Sequence, residues 1–369
     1  MHVLITADTI GGVWTYAQEL VSGLVRSGVQ VTLVSFGEIP SQEQQEWMEG
    51  LPSFHFRPTA FRLEWMHEAQ QDLAESSAYL ASVVREVKPD LLHFNQYCYG
   101  NLPVAVPRIV VAHSDVVSWW NSVHGEEPRE TEWLRWYRDV VTRGLAHANA
   151  VVAPSQWMME AVVRFYTKPA RSEVIYNGRN PLLFNPHMSK ENSVLSVGRL
   201  WDGGKQVSLL TQHDHPVPVC IVGSERHPDL MFRGEVGLGT AKPEFDFRGP
   251  QNEAQLRQLY ARAAMYAATS KYEPFGLAPL EAALSRCAII ANDIPSFQEI
   301  WGEAAYFFRR NSGESLAYAI ARLGSDRDLC RTYANLAYNR ARERFTAAQM
   351  VENYMRLYGA LATREAAVA

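Results

Sequence analysis

The stretch Met265-Tyr266-Ala267-Ala268-Thr269-Ser270-Lys271-Tyr272-Glu273-Pro274-Phe275-Gly276-Leu277-Ala278-Pro279-Leu280-Glu281-Ala282-Ala283-Leu284 runs from an apolar segment of strand length, through a polar turn, into a helical segment. A short continuous apolar run followed directly by a helix is the building unit of a parallel sheet buried on both faces. The free N–H groups at the helix start, near Gly276 or Leu277, form an anion site backed by the positive end of the helix dipole. Glu273 precedes that helix and Glu281 lies inside it, so two acceptor-only carboxylates flank a phosphate-binding turn. Such a pair suits a ligand with hydroxyls on either side of a diphosphate. On residue types alone, it reads equally well as two solvated helix-end carboxylates.

The same alternation extends outward over the whole chain. Apolar runs of strand length stand at Val3–Ala7, Val29–Ser35, Asp90–Phe94, Ile109–Ala112 and Ala150–Ala153, then at Val194–Val197, Val219–Val222, Met265–Ala268 and Ala288–Ala291. Helical patterns lie between them, such as Val13–Val25 with Val13, Ala17, Leu20, Val21 and Leu24 on one stripe. Strand and helix in alternation predict an α/β fold of two Rossmann-like, doubly wound parallel-sheet lobes. Turn formers cluster from Tyr176-Asn177-Gly178-Arg179-Asn180-Pro181 to His187-Met188-Ser189-Lys190, which marks the boundary. A capping-box pattern at Thr346-Ala347-Ala348-Gln349 opens a last helix with Met350, Val351, Tyr354, Leu357 and Tyr358 on one face. The expected division is therefore an N-terminal Rossmann-like lobe of residues 1–186, completed by a returning helix at 346–369, and a second Rossmann-like lobe of 187–345. Ligands of open α/β sheets sit at the carboxyl ends of the strands, so the glycine turns of both lobes are expected to line one cleft.

The chain has 369 residues, 47% of them hydrophobic, which suffices for two cores. With 35 basic and 40 acidic residues the net charge is −5, which gives no general attraction to nucleic acid. Cys98, Cys220, Cys287 and Cys330 show no CxxC spacing, so neither a zinc site nor a disulfide framework is expected. The first residues enter a strand directly, and no apolar stretch reaches the roughly 20 residues that span a bilayer. A cytoplasmic protein is expected, with peripheral contact at the inner membrane face compatible with these features.

Val197-Gly198-Arg199-Leu200, followed by Gly203-Gly204-Lys205, places two cations after a strand. A departing nucleoside diphosphate gains negative charge as its bond to sugar breaks, and fixed cations stabilise that charge. Arg199 offers a fork for two oxygens and Lys205 a point charge. In the first half, Gly11-Gly12 allows close approach of backbone to phosphates ahead of a helix N-terminus. A dinucleotide-binding G-x-G-x-x-G is the competing reading of that turn, but Gly11-Gly12-Val13-Trp14-Thr15-Tyr16 lacks the spacing, which disfavours hydride transfer. His113 ends a strand in Val110-Val111-Ala112-His113-Ser114-Asp115. Trp14, Trp65, Trp119 and Trp120 are concentrated in the first half, and aromatic faces suit sugar rings.

Glu273 and Glu281, in the frame Glu-Pro-Phe-Gly-Leu-x-x-Leu-Glu, resemble the E-x7-E motif of glycosyltransferase family 4, the group 1 glycosyltransferases of GT-B fold. The resemblance covers nearly the whole chain. Val3–Ala7 with Gly11-Gly12 is similar to the family's first strand and glycine turn, and Arg199 and Lys205 to its paired phosphate ligands. Arg248-Gly249-Pro250, ahead of Leu256 and Leu259-Tyr260, resembles the segment that cradles the base. Asp293-Ile294-Pro295 with Glu299-Ile300 resembles the loop and short helix that follow.

The resemblance implies a retaining transferase acting on a UDP- or GDP-sugar, with no metal or other cofactor in catalysis. His113, Arg199, Lys205 and Glu273 are its implied catalytic residues. Gly11, Gly12, Arg248, Gly249, Pro250, Phe275, Gly276, Leu277 and Glu281 are its implied donor contacts. In the family, a histidine placed like His113 contacts a sugar hydroxyl or lends its backbone carbonyl to the reacting centre. Attack comes on the front face, with the leaving phosphate taking the acceptor proton. The acceptor, a saccharide or lipid-linked saccharide in glycan or exopolysaccharide synthesis, is assigned to Asp115, Trp119 and Trp120. Two departures stand out: Ser285-Arg286-Cys287 replaces a usual glycine, and Asn177-Gly178-Arg179-Asn180 carries Arg and Asn where an apolar residue and Asp are usual. Rival readings are a GT-B-type nucleotide-sugar epimerase and a catalytically silent nucleotide-sugar-binding protein. Intact Arg199, Lys205, Glu273 and Glu281 argue against silence.

Overall fold

A computed structural model describes residues 1–225 and 245–366. It resolves into two compact units. The first holds Met1–Trp120, Glu127–Gly178 and Ala347–Ala369; the second holds Arg179–Thr346 with Asn121–Glu126.

In the first unit the strands are β1 (His2–Asp8), β2 (Gln30–Phe36), β3 (Phe54–Pro58), β4 (Leu91–Phe94), β5 (Arg108–Val111), β6 (Ala150–Ala153) and β7 (Ser172–Val174). They form one sheet in the order β3-β2-β1-β4-β5-β6-β7, and every neighbouring pair is parallel. Successive residues point to opposite faces. Thus Leu4, Val34 and Phe36 enter one core, while Val3, Ile5, Val31 and Leu33 enter the other. Onto that second face pack the helices Gly12–Arg26 and Ala347–Ala366, the latter burying Met350, Val351, Tyr354, Leu357 and Tyr358. The C-terminal helix belongs to the first unit because its apolar stripe completes that core.

The second unit has β8 (Glu191–Val197), β9 (Val219–Val222), β10 (Phe245–Arg248), β11 (Ala263–Ala268), β12 (Ala288–Asn292) and β13 (Tyr306–Phe308), in the order β10-β9-β8-β11-β12-β13, again all parallel. Its chain enters and leaves side by side. The Arg179 N–H donates to the Phe345 carbonyl (3.1 Å), and Arg179 bridges Thr346. The second unit therefore opens at Arg179, ahead of the turn cluster near His187, because that side chain is buried within it (1% exposed).

Each sheet reverses its winding once, between β1 and β4 and between β8 and β11. Chain segments leaving such a pair diverge and open a crevice at the carboxyl edge, the usual place for a ligand. The loops after β8 and β11 carry Arg199, Lys205 and Glu273. The loops after β1 and β4 carry Gly11 and Asn95, and the loop after the next strand, β5, carries His113.

Candidate functional site

In the second unit, the segment after β8 is folded around Asp202, which is buried. Its carboxylate accepts the Gly204 N–H (2.8 Å) and pairs with the Arg199 guanidinium (2.7 Å), while its carbonyl accepts the Lys205 N–H. This segment is stitched to the loop after β11. The Lys271 N–H donates to the Gly204 carbonyl (2.8 Å), and the Thr269 hydroxyl to the Lys205 carbonyl (2.7 Å). The stitching brings the Lys205 ammonium to 2.5 Å from the Glu273 carboxylate, which also accepts the Ser270 hydroxyl (3.0 Å). Lys205 and Glu273 line a small recess with Ser196, Tyr266 and Ser270.

Gly276 follows at φ +92°, a backbone conformation that costs a non-glycine residue dearly. From there the helix Leu277–Leu284 begins, with Phe275 buried edge-on against Phe345. Glu281 lies on this helix, and its carboxylate is 3.0 Å from Arg179 Nε. Arg179 also pairs with Glu253 (2.5 Å), stacks over Phe184, and is the bridge residue at the mouth of the unit. Burial by itself raises the Glu253 carboxyl, but the charges of Arg179 and Arg257 outweigh it and hold the group below its ordinary range.

Arg199 is placed beside the Lys205–Glu273 pair in sequence and loop, but its side chain turns to Asp202 and stacks over Trp201. Arg248, Gly249 and Pro250 lie at the carboxyl end of β10, where Arg248 is exposed and paired with Asp246 (2.7 Å). Of the expected catalytic residues, then, an ion pair joins Lys205 to Glu273. Glu281 is gathered onto Arg179, a residue that the sequence marked only as a departure.

In the first unit, Gly11 takes φ +104° and caps the helix Gly12–Arg26 without any side-chain bond, so its leading N–H groups stand beside two exposed glycines. Trp14 belongs to the core and donates its indole N–H to the Gln44 carbonyl. His113 follows β5 and makes a 2.7 Å bond through Nε2 to the Asn95 side-chain oxygen; burial lowers its pKa to about 3 and keeps it neutral. Asp115 is buried, which pushes its carboxyl up, although bonds from Ser118 and Tyr166 pull the other way. By accepting the Ser118 N–H (2.8 Å) it starts the helix Val116–His124, on which Trp119 and Trp120 are half-buried and edge-on to each other. Asp115 is thereby held as a helix cap. The sequence reading missed Arg179, Asp202 and Asn95 as organisers of these sites. The Asp202-Gly203-Gly204 turn was the available signal for the second of them.

All four cysteines are free; Cys287 and Cys330 are buried, whereas Cys98 and Cys220 are only half-buried. Among the described residues no cluster of three His, Cys, Asp or Glu side chains is placed to hold a metal ion, and no helix is long and apolar enough to cross a membrane.

Two doubly wound parallel-sheet units, the second with a cation and a carboxylate joined at its switch point and a glycine-led helix beside them, define the GT-B class of glycosyltransferases. Family models agree: one for Glycosyltransferase Family 4 matches residues 10–181, and one for Glycosyl transferases group 1 matches residues 184–340. The chain belongs to this family.

An uncharacterized glycosyltransferase of Methanocaldococcus jannaschii is 23% identical over 357 residues, 86% of each chain. Among solved structures, a sucrose-phosphate synthase from Thermosynechococcus elongatus superposes with a TM-score of 0.77 at 20% identity, covering 98% of this chain and 100% of that one. Anabaena HepE in complex with UDP-glucose superposes at 0.74 and 17% identity, with the same coverage. At these identities the structures establish the fold.

Proposed function

We propose that this glycosyltransferase moves a sugar from a nucleoside-diphosphate sugar to a hydroxyl of a saccharide or lipid-linked saccharide, with retention of anomeric configuration, in glycan or exopolysaccharide assembly at the cytoplasmic side. The observation that carries the donor half is the Lys205–Glu273 ion pair at the β8/β11 switch point. A diphosphate arriving there offers Lys205 a more highly charged partner than one carboxylate, which frees Glu273 to accept a sugar hydroxyl. Arg199 exchanges Asp202 for phosphate in the same way. With two side-chain cations meeting the developing charge, the leaving group needs no metal ion.

In the step itself the bond from the anomeric carbon to the phosphate oxygen breaks. The bond to the acceptor oxygen forms on the same face, and the acceptor proton passes to the departing phosphate. Glu273 orients the donor and forms no covalent bond. Gly11, Gly12 and His113 serve the donor from the first unit, and Trp119 and Trp120 the acceptor. The UDP-glucose complex of HepE, which shares the fold, makes uridine nucleotides the first to test.

The test has two readouts. Thermal melting with UDP, GDP and ADP should rise for one base, by about 2.7 kcal/mol of linkage at a hundredfold excess over Kd. Proton NMR of the first-formed product should show the donor's anomeric configuration. Indifference to all three nucleotides would remove the donor site, and an inverted product would remove the front-face mechanism.

A further inference from the structure

His113 is the end of a buried chain of polar groups in the first unit whose proton positions can be assigned from partners alone. Asn95 is clamped to β1. Its backbone N–H donates to the Thr6 hydroxyl (3.0 Å), and its side-chain N–H donates to the Thr6 carbonyl (2.6 Å). A carbonyl only accepts, so the Asn95 amide cannot be turned round, and its Oδ1 must be the atom that faces the histidines. His113 Nε2 lies 2.7 Å from that oxygen and must bring a proton; His93 Nε2 lies 3.3 Å from it and 3.2 Å from the Tyr16 hydroxyl, and the assignment made here gives it a proton shared between those two oxygens.

His93 is neutral, because burial and the neighbouring His113 lower its pKa to about 3. With Nε2 protonated, its Nδ1 is a bare acceptor, and the Tyr358 hydroxyl donates to it at 2.6 Å across 265 residues of sequence. The Tyr16 hydroxyl, 3.2 Å from His93 Nε2, closes the network, and the Tyr16 ring meets His113 edge-on at 4.5 Å.

The proton count then leaves one outcome for His113: N–H at Nε2, lone pair at Nδ1. We infer that Tyr358, on the C-terminal helix, is a positioning residue for the reaction: through His93 and Asn95 it holds His113 in the Nε2–H form and presents Nδ1 as the acceptor for a hydroxyl of the transferred sugar. This rests on the proposal that His113 serves the donor. It also gives the returning helix a part in chemistry beyond covering the core. The network passes from that helix through β4 to the end of β5, with every member buried or half-buried. His93 Nε2 is held at two points, by Asn95 Oδ1 (3.3 Å) and the Tyr16 hydroxyl (3.2 Å), and a chain tied in this way transmits position.

The test uses the full chain labelled with 15N-histidine, alongside Tyr358→Phe and, as control, Tyr99→Phe, which removes a buried hydroxyl bonded to Ser76 in the other core of the same unit. In the wild-type protein the ring-nitrogen signals should show His113 protonated at Nε2 and bare at Nδ1. Tyr358→Phe should shift those signals and lower kcat roughly ten- to a hundredfold, as loosened positioning does, with donor KM unchanged. Tyr99→Phe should do neither. An Nδ1–H form of His113 overturns the inference, as does a Tyr358→Phe variant that keeps wild-type kcat and His113 signals. If the wild-type protein transfers no sugar at all, the functional reading fails and the catalytic half of this inference with it; the ring-nitrogen signals judge the network independently.

Discussion

Arg179→Met removes the most deeply buried cation described in the second unit, and its consequence can be worked from the partners left behind. Glu253 keeps Arg257 at 2.7 Å and is 38% exposed, so its half of the loss is at most about 1 kcal/mol. Glu281 is 12% exposed and loses the guanidinium 3.0 Å away. Removing one partner of a buried pair costs about 3–5 kcal/mol, chiefly because the survivor is left charged in a poor solvent. We therefore expect about 3 kcal/mol of destabilisation at pH 7, seen as a fall of roughly 6–12 °C in the melting of a unit this size. Adding Glu281→Gln should restore most of it, because the amide carries no charge to strand.

Two units need not melt as one transition, so calorimetry should be joined to hydrogen exchange on peptides from β8, β11 and β12. The pH dependence has a definite sign. Glu253 has a depressed folded-state pKa, so its contribution is present above the unfolded value and is lost as pH falls through the folded one. Protonation of the stranded Glu281 relieves the variant in the same direction, so the gap between wild type and Arg179→Met should narrow in acid. A loss below about 1 kcal/mol, or strictly additive effects in the double variant, would refute the assignment of Arg179 as counterion to Glu281.

Lys205→Ala should cut turnover by at least ~100-fold, as loss of one transition-state donor does, and should also lower the melting temperature, because it strands Glu273, which is only 13% exposed; steady-state kinetics with excess donor, below the variant's melting range, is the check. Gly23→Val should separate the Gly12–Arg26 and C-terminal helices, since even a Cβ there would stand 2.4 Å from a Val351 methyl, and overpacking of this kind costs about 1–3 kcal/mol by urea unfolding. Glu64→Gln should stabilise the first unit at neutral pH. Burial raises this carboxyl, so the charged form is disfavoured in the folded state once pH exceeds the unfolded value, and the gain should vanish below about pH 4, where both states carry the proton.

The strands that the sequence displayed and those it hid differ by position in the sheet. The nine apolar runs form β1, β2, β4, β5, β6, β8, β9, β11 and β12, all flanked on both sides by other strands. Hidden were β3 and β7 at the two edges of one sheet and β10 and β13 at the edges of the other. An edge strand is half in water and need not be continuously apolar. Phe54-His55-Phe56-Arg57-Pro58 alternates and ends in a proline that only an edge tolerates, and Ser172-Glu173-Val174 has a single apolar residue. Their pairing is supplied by the neighbour, which a reading of local pattern does not contain.

The site divides along a similar line. Lys205 and Glu273 were legible because each follows a strand beside the switch point, and topology alone then brings their loops together. Arg179 meets Glu253 across 74 residues, and Tyr358 meets His93 across 265. No local period links such pairs; only the requirement that a buried charge or ring nitrogen find a partner does. That requirement also explains why Arg179 is tolerable where an apolar residue is usual. Glu253 opens the helix Glu253–Arg262, where the dipole already favours a carboxylate, and Glu281 stands on the helix led by Gly276. With Arg257 also on Glu253, two cations meet two carboxylates and the cluster is in electrical balance. In this chain the second glutamate of the motif is one half of an ion pair, so that, on the donor role proposed for Glu281, any change at position 179 is read at the donor site as well as in the core.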